Sequence, residues 1–154
     1  MQLKLLADIP DAIPILARWF FDQWGRDVPG NSFEATCERI GEKLNRDQAP
    51  LHLVAVEGGR PLGTAQWKIR EMAIYPEREF WLGNVYVAPE ARGHGLASRL
   101  AEEIAQLAKS HGVSELSLQT ERLDGGLYAR LGWKPVEQVH HHGRDVLVMQ
   151  RDLM

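Results

Sequence analysis

The run from Phe80 to Ala101, FWLGNVYVAPEARGHGLASRLA, constrains this chain more than any other stretch. It reads as an apolar strand, a short Pro-Glu-Ala-Arg turn, a glycine-rich loop and then an amphipathic helix. Gly93 and Gly95 lack a Cβ, so the backbone there can curl its N–H groups inward around an anion. The helix beginning near Leu96 adds unpaired amides and the positive end of its dipole at the same place. Arg92 brings a full charge and a fork of donors suited to phosphate. A strand, loop and helix of this kind form a pyrophosphate site.

Two kinds of pyrophosphate ligand fit such a loop. Gly93-x-Gly95-x-x-Ser98 approximates the dinucleotide fingerprint, and Glu115 stands at roughly the distance of that motif's acidic ribose ligand. Against it, Ser98 replaces the last glycine, and the remaining chain is too short for a second βαβ half with a substrate domain. The flanking residues point elsewhere. Val87-Ala88-Pro89-Glu90-Ala91-Arg92-Gly93-His94-Gly95-Leu96-Ala97 resembles the coenzyme A loop of the GNAT N-acetyltransferases, with Arg92, Gly95 and Ala97 at the pattern positions. Downstream, Leu127-Tyr128-Ala129-Arg130-Leu131-Gly132-Trp133 is similar to that family's Phe-Tyr-x-x-Leu-Gly-Phe segment. The two segments stand in the family's order and at about its spacing.

At 154 residues the chain is expected to form a single domain over 1–154, with one substantial core. Its 44% hydrophobic and 25% charged content is that of a water-soluble globular protein. No apolar stretch approaches the roughly 18 residues of a membrane span. The start, Met1-Gln2-Leu3-Lys4, lacks the build of a signal peptide, and the lone Cys37 allows no internal disulfide. A cytoplasmic setting without membrane association is expected. The net charge of −3 argues against a nucleic-acid partner and is compatible with a cationic acceptor.

Along the chain, Leu3 to Leu6 reads as an edge strand. Asp11 is placed to cap a helix with Ile13, Leu16, Ala17, Phe20 and Trp24 on one face, ended by Gly25. Asn31-x-x-Glu34 looks like a capping box for a second helix carrying Phe33, Cys37, Ile40 and Leu44. Leu51 to Val56 and Gly63 to Ile69 read as a hairpin, followed by the strand Phe80 to Val87. A helix from Leu96 to His111, a strand Glu115 to Gln119 and a short helix Leu123 to Leu131 come next. Trp133 to Val139 and Val146 to Met149 close the chain as a hairpin around His140-His141-His142-Gly143-Arg144. The order β-α-α-β-β-β-α-β-α-β-β is the GNAT order. The resemblance implies an α/β (α+β) GNAT fold: a mixed, largely antiparallel sheet of six to seven strands, about four helices, and a V-shaped split between two parallel central strands.

What the resemblance implies for chemistry follows residue by residue. Val85, Tyr86 and Val87 would offer backbone contacts to the cofactor's pantetheine arm, with an N–H placed to polarise the thioester carbonyl. Arg92, Gly93, His94, Gly95, Leu96, Ala97 and Ser98 would surround the pyrophosphate. Tyr128 is the expected general acid, a phenol protonated at neutral pH; as a residue of an amphipathic helix it could equally serve packing. Asn84 holds a position where the family often carries a basic carboxylate and cannot take up a proton. Glu121 and Glu79 are the remaining candidates for general base, each also readable as a solvated carboxylate. The consecutive histidines alternate faces on a strand, so they cannot converge on one metal, and no metal is expected. Trp24 to Ser32 would border the acceptor pocket. The resulting expectation is an acetyl-CoA-dependent N-acetyltransferase acting on a primary amine of a small molecule or a peptide N-terminus, and pairing as a homodimer as many GNAT domains do. An acyl-CoA sensor or partner-binding module on the same fold, without turnover, is the alternative.

Overall fold

The computed structural model describes residues 1–154. Seven strands form one sheet: β1 (Gln2–Leu5), β2 (Leu51–Glu57), β3 (Arg60–Ile69), β4 (Phe80–Val87), β5 (Glu115–Thr120), β6 (Lys134–His141) and β7 (Arg144–Asp152). Four helices accompany them: α1 (Ile13–Phe20), α2 (Phe33–Gly41), α3 (Leu96–Ser110) and α4 (Gly126–Arg130). Across the sheet the order is β1-β2-β3-β4-β5-β7-β6. Only β4 and β5 run parallel, and every other neighbouring pair is antiparallel. This is the GNAT architecture that the sequence implies, in the expected element order.

Alternation along the strands sends their side chains to two cores. On one face Leu51 and Ala55 of β2, Ala65 and Trp67 of β3, and Leu116 and Leu118 of β5 meet α3 through Leu100, Ile104 and Ala108. Leu100 and Ile104 are wholly buried, each worth about 1.5–3 kcal/mol of transfer free energy. On the opposite face Val54 and Val56 of β2 pack against Leu16, Ala17 and Phe20 of α1 and Ile40 of α2. A smaller cluster of Met72, Tyr75, Trp81, Val146 and Val148 closes the sheet beneath the loop between β3 and β4. No helix is long and apolar enough to cross a membrane.

Several local expectations are corrected. Asp11 does not cap α1; a single 3₁₀ turn, Pro10–Ala12, leads into the helix, and Ala12 at the cap offers no side-chain acceptor. The helical run does end at Gly25 as expected, but beyond Phe20 its last turn, Phe21–Gly25, is π-helical. The cap of α2 is Ser32, whose hydroxyl accepts from the Ala35 amide at 3.0 Å. Asn31 and Ser32 are both capping types; Phe33 begins the helix, so the cap falls to its immediate neighbour. The tyrosine helix is shorter than its apolar pattern indicates. Gly125 and Gly126 hold φ of 84° and 49°, so the helix starts only at Gly126, and Leu123 stays outside, exposed. The last hairpin runs further than expected. Its tip is His142-Gly143 alone, both at positive φ, so His140 and His141 belong to β6.

Candidate active site

The site begins with a defect in β4. Thr64 of β3 faces Tyr86, yet Gln66, two residues on, faces Gly83, so β4 carries one extra residue there. Asn84 absorbs the bulge with φ of 49°, a left-handed conformation that asparagine tolerates better than most residues. Its amide nitrogen donates to Gln66 Oε1 at 2.7 Å. On the other side, β4 and β5 register only at Trp81 and Ser117. Beyond that pair the two parallel strands part, leaving one backbone edge of β4 without a neighbouring strand. That parting is the V-shaped split.

Three cavities meet along this stretch of β4. The first is a groove of about 460 Å³ bordered by Val85, Tyr86, Val87, Arg92, Gly93, Gly95, Leu96, Ala97 and Ser98. Gly93 and Gly95 hold φ of 84° and 78°, and a Cβ at either would meet nothing within 4 Å, so both face open space. Gly95 caps α3 without any side-chain acceptor, leaving the first amides of a 15-residue helix for whatever enters the groove. Arg92 donates through Nε to the Val87 carbonyl at 2.9 Å and lies 5.5 Å over the Tyr86 ring. Its terminal nitrogens remain for a ligand. Positive charge, bare amides and room for a phosphate coincide, so these residues fit a pyrophosphate. His94, though within the loop, is exposed and does not border the groove.

The second cavity, about 570 Å³, contains Asn84, Val85, Glu71, Glu121, Tyr128 and His141. Tyr128 is half-buried against the α3-side core and meets Trp133 edge-on at 6.2 Å. Burial alone raises its pKa to about 12, so its hydroxyl is a retained proton donor with no charged neighbour competing for it. Glu121 lies at the end of β5 and accepts from Arg144 Nη1 at 3.1 Å. Glu79 is not brought to the site. It precedes β4 at the far end, about 20 Å along the strand from Val85 at about 3.3 Å per residue, and it pairs with Arg70 at 3.1 Å.

The carboxylate that sequence reasoning missed is Glu71. Its Oε1 accepts from Lys68, while Oε2 is buried and has no partner. Two backbone features put it there. Arg70 turns the chain at φ of 47°, and Gly83 leaves a gap in which a Cβ would stand 2.4 Å from Lys68 Cδ and 3.2 Å from Glu71 Oε1. Neither feature is visible in a residue pattern; the Lys68-x-x-Glu71 spacing after a strand was the sole available hint. Nearby, burial followed by the charge of His142 lowers the pKa of His141, with Glu71 opposing. The histidine run forms no three-residue cluster able to hold a metal ion.

The third cavity, about 450 Å³, lies under α1 and α2 and includes Asn84 and Gln66. Trp24, from the π-helical turn, borders all three cavities.

Comparison with known proteins agrees with this geometry. The structure is similar to an aminoglycoside 6'-acetyltransferase type Ii, with TM-score 0.77 and 17% identity over 100% of this chain and 98% of that one. It resembles an aminoglycoside 6'-N-acetyltransferase complexed with coenzyme A equally well, at TM-score 0.77 and 14% identity over 100% and 98%. A ribosomal-protein-alanine N-acetyltransferase from Brucella melitensis shares 24% identity at TM-score 0.68 over 99% of both chains. No curated protein matches the sequence. Residues 13–133 match the acetyltransferase (GNAT) family, which takes in both the bulged strand with its loop and the tyrosine helix. The chain belongs to the GNAT acetyltransferase family.

Proposed function

We propose that the protein transfers an acetyl group from acetyl-CoA to a primary amine by direct attack, with both substrates held in the split at once. The observation that carries this reading is the position of Tyr128: a protonated, unpartnered phenol in the cavity that adjoins the phosphate groove through Val85 and Trp24. Bound acetyl-CoA supplies a thioester carbonyl open to nucleophilic attack. The chain's own residues do the rest. The α3 amides, Gly93, Gly95 and Arg92 hold the pyrophosphate, while the unpaired edge of β4 orients the arm and polarises the carbonyl. Glu71, the carboxylate on the wall of this cavity, takes the proton that the amine must lose. Tyr128 gives its proton to the departing sulfur. Glu121, tied to Arg144, is better placed to shape the cavity mouth than to act as the base.

Acceptors named for similar proteins, aminoglycosides and a ribosomal protein's alanine, both present an amine. A primary amine on a small molecule or peptide is the acceptor class proposed here. The test is thiol release from acetyl-CoA across a panel of amines. Amine-dependent release, accompanied by acetylated product in the mass spectrum, supports the reading. Tight coenzyme A binding without release for any amine would favour a sensor on the same fold.

A further inference from the structure

The cavity under α1 and α2 has no part in the chemistry above, yet unpartnered polar groups line it. His52, on β2, is 2% exposed and borders the cavity, stacked on Phe20 at 6.0 Å. Neither of its ring nitrogens has a partner in the protein. A buried imidazole with both nitrogens unsatisfied is costly unless something entering the cavity bonds to it. Two cations, Arg39 and Lys43, share the wall, and no aspartate or glutamate does. Asn31 and Thr36 accept from Arg39 Nη2 at 2.7 and 3.3 Å and hold it in place. Lys43 has no ion-pair partner. Burial, then the charges of Lys68 and Arg39, lowers its pKa, which an anion beside it would relieve.

This cationic cavity connects to the catalytic one. His52 faces Gln66 across the β2–β3 ladder, and Gln66 accepts from Asn84, whose residue borders both cavities together with Trp24 and Val28. The two cavities therefore share a wall, and an acceptor that bridges it would place one end in each. The catalytic side offers the carboxylate of Glu71 to an amine, and the other side offers Lys43, Arg39 and an imidazole N–H to a negative group.

We infer that the acceptor is a small amine carrying a carboxylate, its amine beside Glu71 and its carboxylate in the cavity of His52, Lys43 and Arg39. The inference rests on the acetyl-transfer reading and narrows it. A polycationic acceptor would bring charge against Lys43 and Arg39, and a peptide N-terminus carries a carboxylate that close to its amine only when its first residue is aspartate or glutamate.

The experiment pairs glycine, β-alanine and γ-aminobutyrate with ethylamine, propylamine and butylamine, which match them in length and lack the carboxylate. Calorimetry on protein saturated with coenzyme A should show at least one amino acid binding about tenfold or more tighter than its counterpart. Lys43→Gln should bring that ratio to within about threefold, as expected for loss of one charge-assisted contact. The ¹⁵N ring signals of His52 should move with the amino acid and stay fixed with the plain amine. Equal binding within every pair, or a preference that Lys43→Gln leaves intact, overturns the inference. Acetylation of the plain amines without preference would remove the anion subsite and leave the transferase reading standing. Selective binding of an amino acid without thiol release would do the opposite.

Discussion

Two side chains carry the proposed chemistry, and each can be changed with little steric consequence. Tyr128→Phe removes only the hydroxyl and keeps the edge-on contact with Trp133. Steady-state kinetics should show kcat falling about 10²-fold, the low end for general acids because thiolate leaves readily, with KM nearly constant. Because the phenol holds its proton up to about 12, any alkaline limb in the rate below about pH 10 belongs to another group. Glu71→Gln keeps the shape but cannot accept the amine's proton, and kcat/KM should fall about 10²-fold, partly restored in Glu71→Asp. A Glu71→Gln enzyme with wild-type kcat/KM would return the base to solvent. Legibility differed between these two. Tyr128 was visible because its neighbours Leu131, Gly132 and Trp133 form a recognisable segment. Glu71 was not, because its place depends on a left-handed Arg70 and a missing Cβ at Gly83. Glu79 misled for a different reason: it lies beside the start of β4, six residues before the Val85 end where the strands part, and it is tied to Arg70 there.

Elements were read better than their ends. The loop and α3 followed from glycine placement and helical periodicity, which are local signals. Gly95→Asp tests that element as a unit, since it forces a side chain and a negative charge into a position with φ of 78° facing the groove. Coenzyme A affinity measured by calorimetry should drop by more than tenfold, or more than about 1.4 kcal/mol. Unchanged affinity in a folded variant would remove the loop from the site. The elements that were misjudged end by competition between similar local signals. Asn31 and Ser32 both suit a cap, and only the start of α2 decides between them. The apolar spacing of Leu123, Leu127 and Leu131 fits a longer helix, but Asp124 accepts from the Gly126 amide at 3.0 Å and turns the chain there instead. The bulge in β4 left no trace in the pattern at all, because the extra residue is defined by its pairing with β3.

For the whole molecule, the order of elements along the chain was legible because strand and helix periodicities rarely imitate one another over full elements, whereas the single core expected from length is divided into separate clusters by the sheet. The resemblance pointed to the phosphate groove and to the Trp24–Ser32 border, but nothing in the pattern pointed to the buried ring of His52. That ring ties global stability to pH. Burial first, then the charges of Lys43 and Lys68, lowers the His52 pKa from 6.5 to about 3. Below about pH 6.5 the unfolded chain takes up a proton that the native protein refuses, so stability is lost as pH falls and is unaffected above that range. Urea unfolding should show His52 costing about 2 kcal/mol between pH 7.5 and pH 5. His52→Leu, which has no titrating ring, should lose that much less over the same interval; identical pH slopes would show that the ring is hydrated in the native state. Trp24 has a different reach. An indole bordering three cavities makes their occupants energetically interdependent, because a ligand that displaces the ring in one reshapes the other two. Whatever factor coenzyme A imposes on acceptor affinity, the acceptor must impose on coenzyme A, and the order in which the two arrive then sets the rate without altering the final balance.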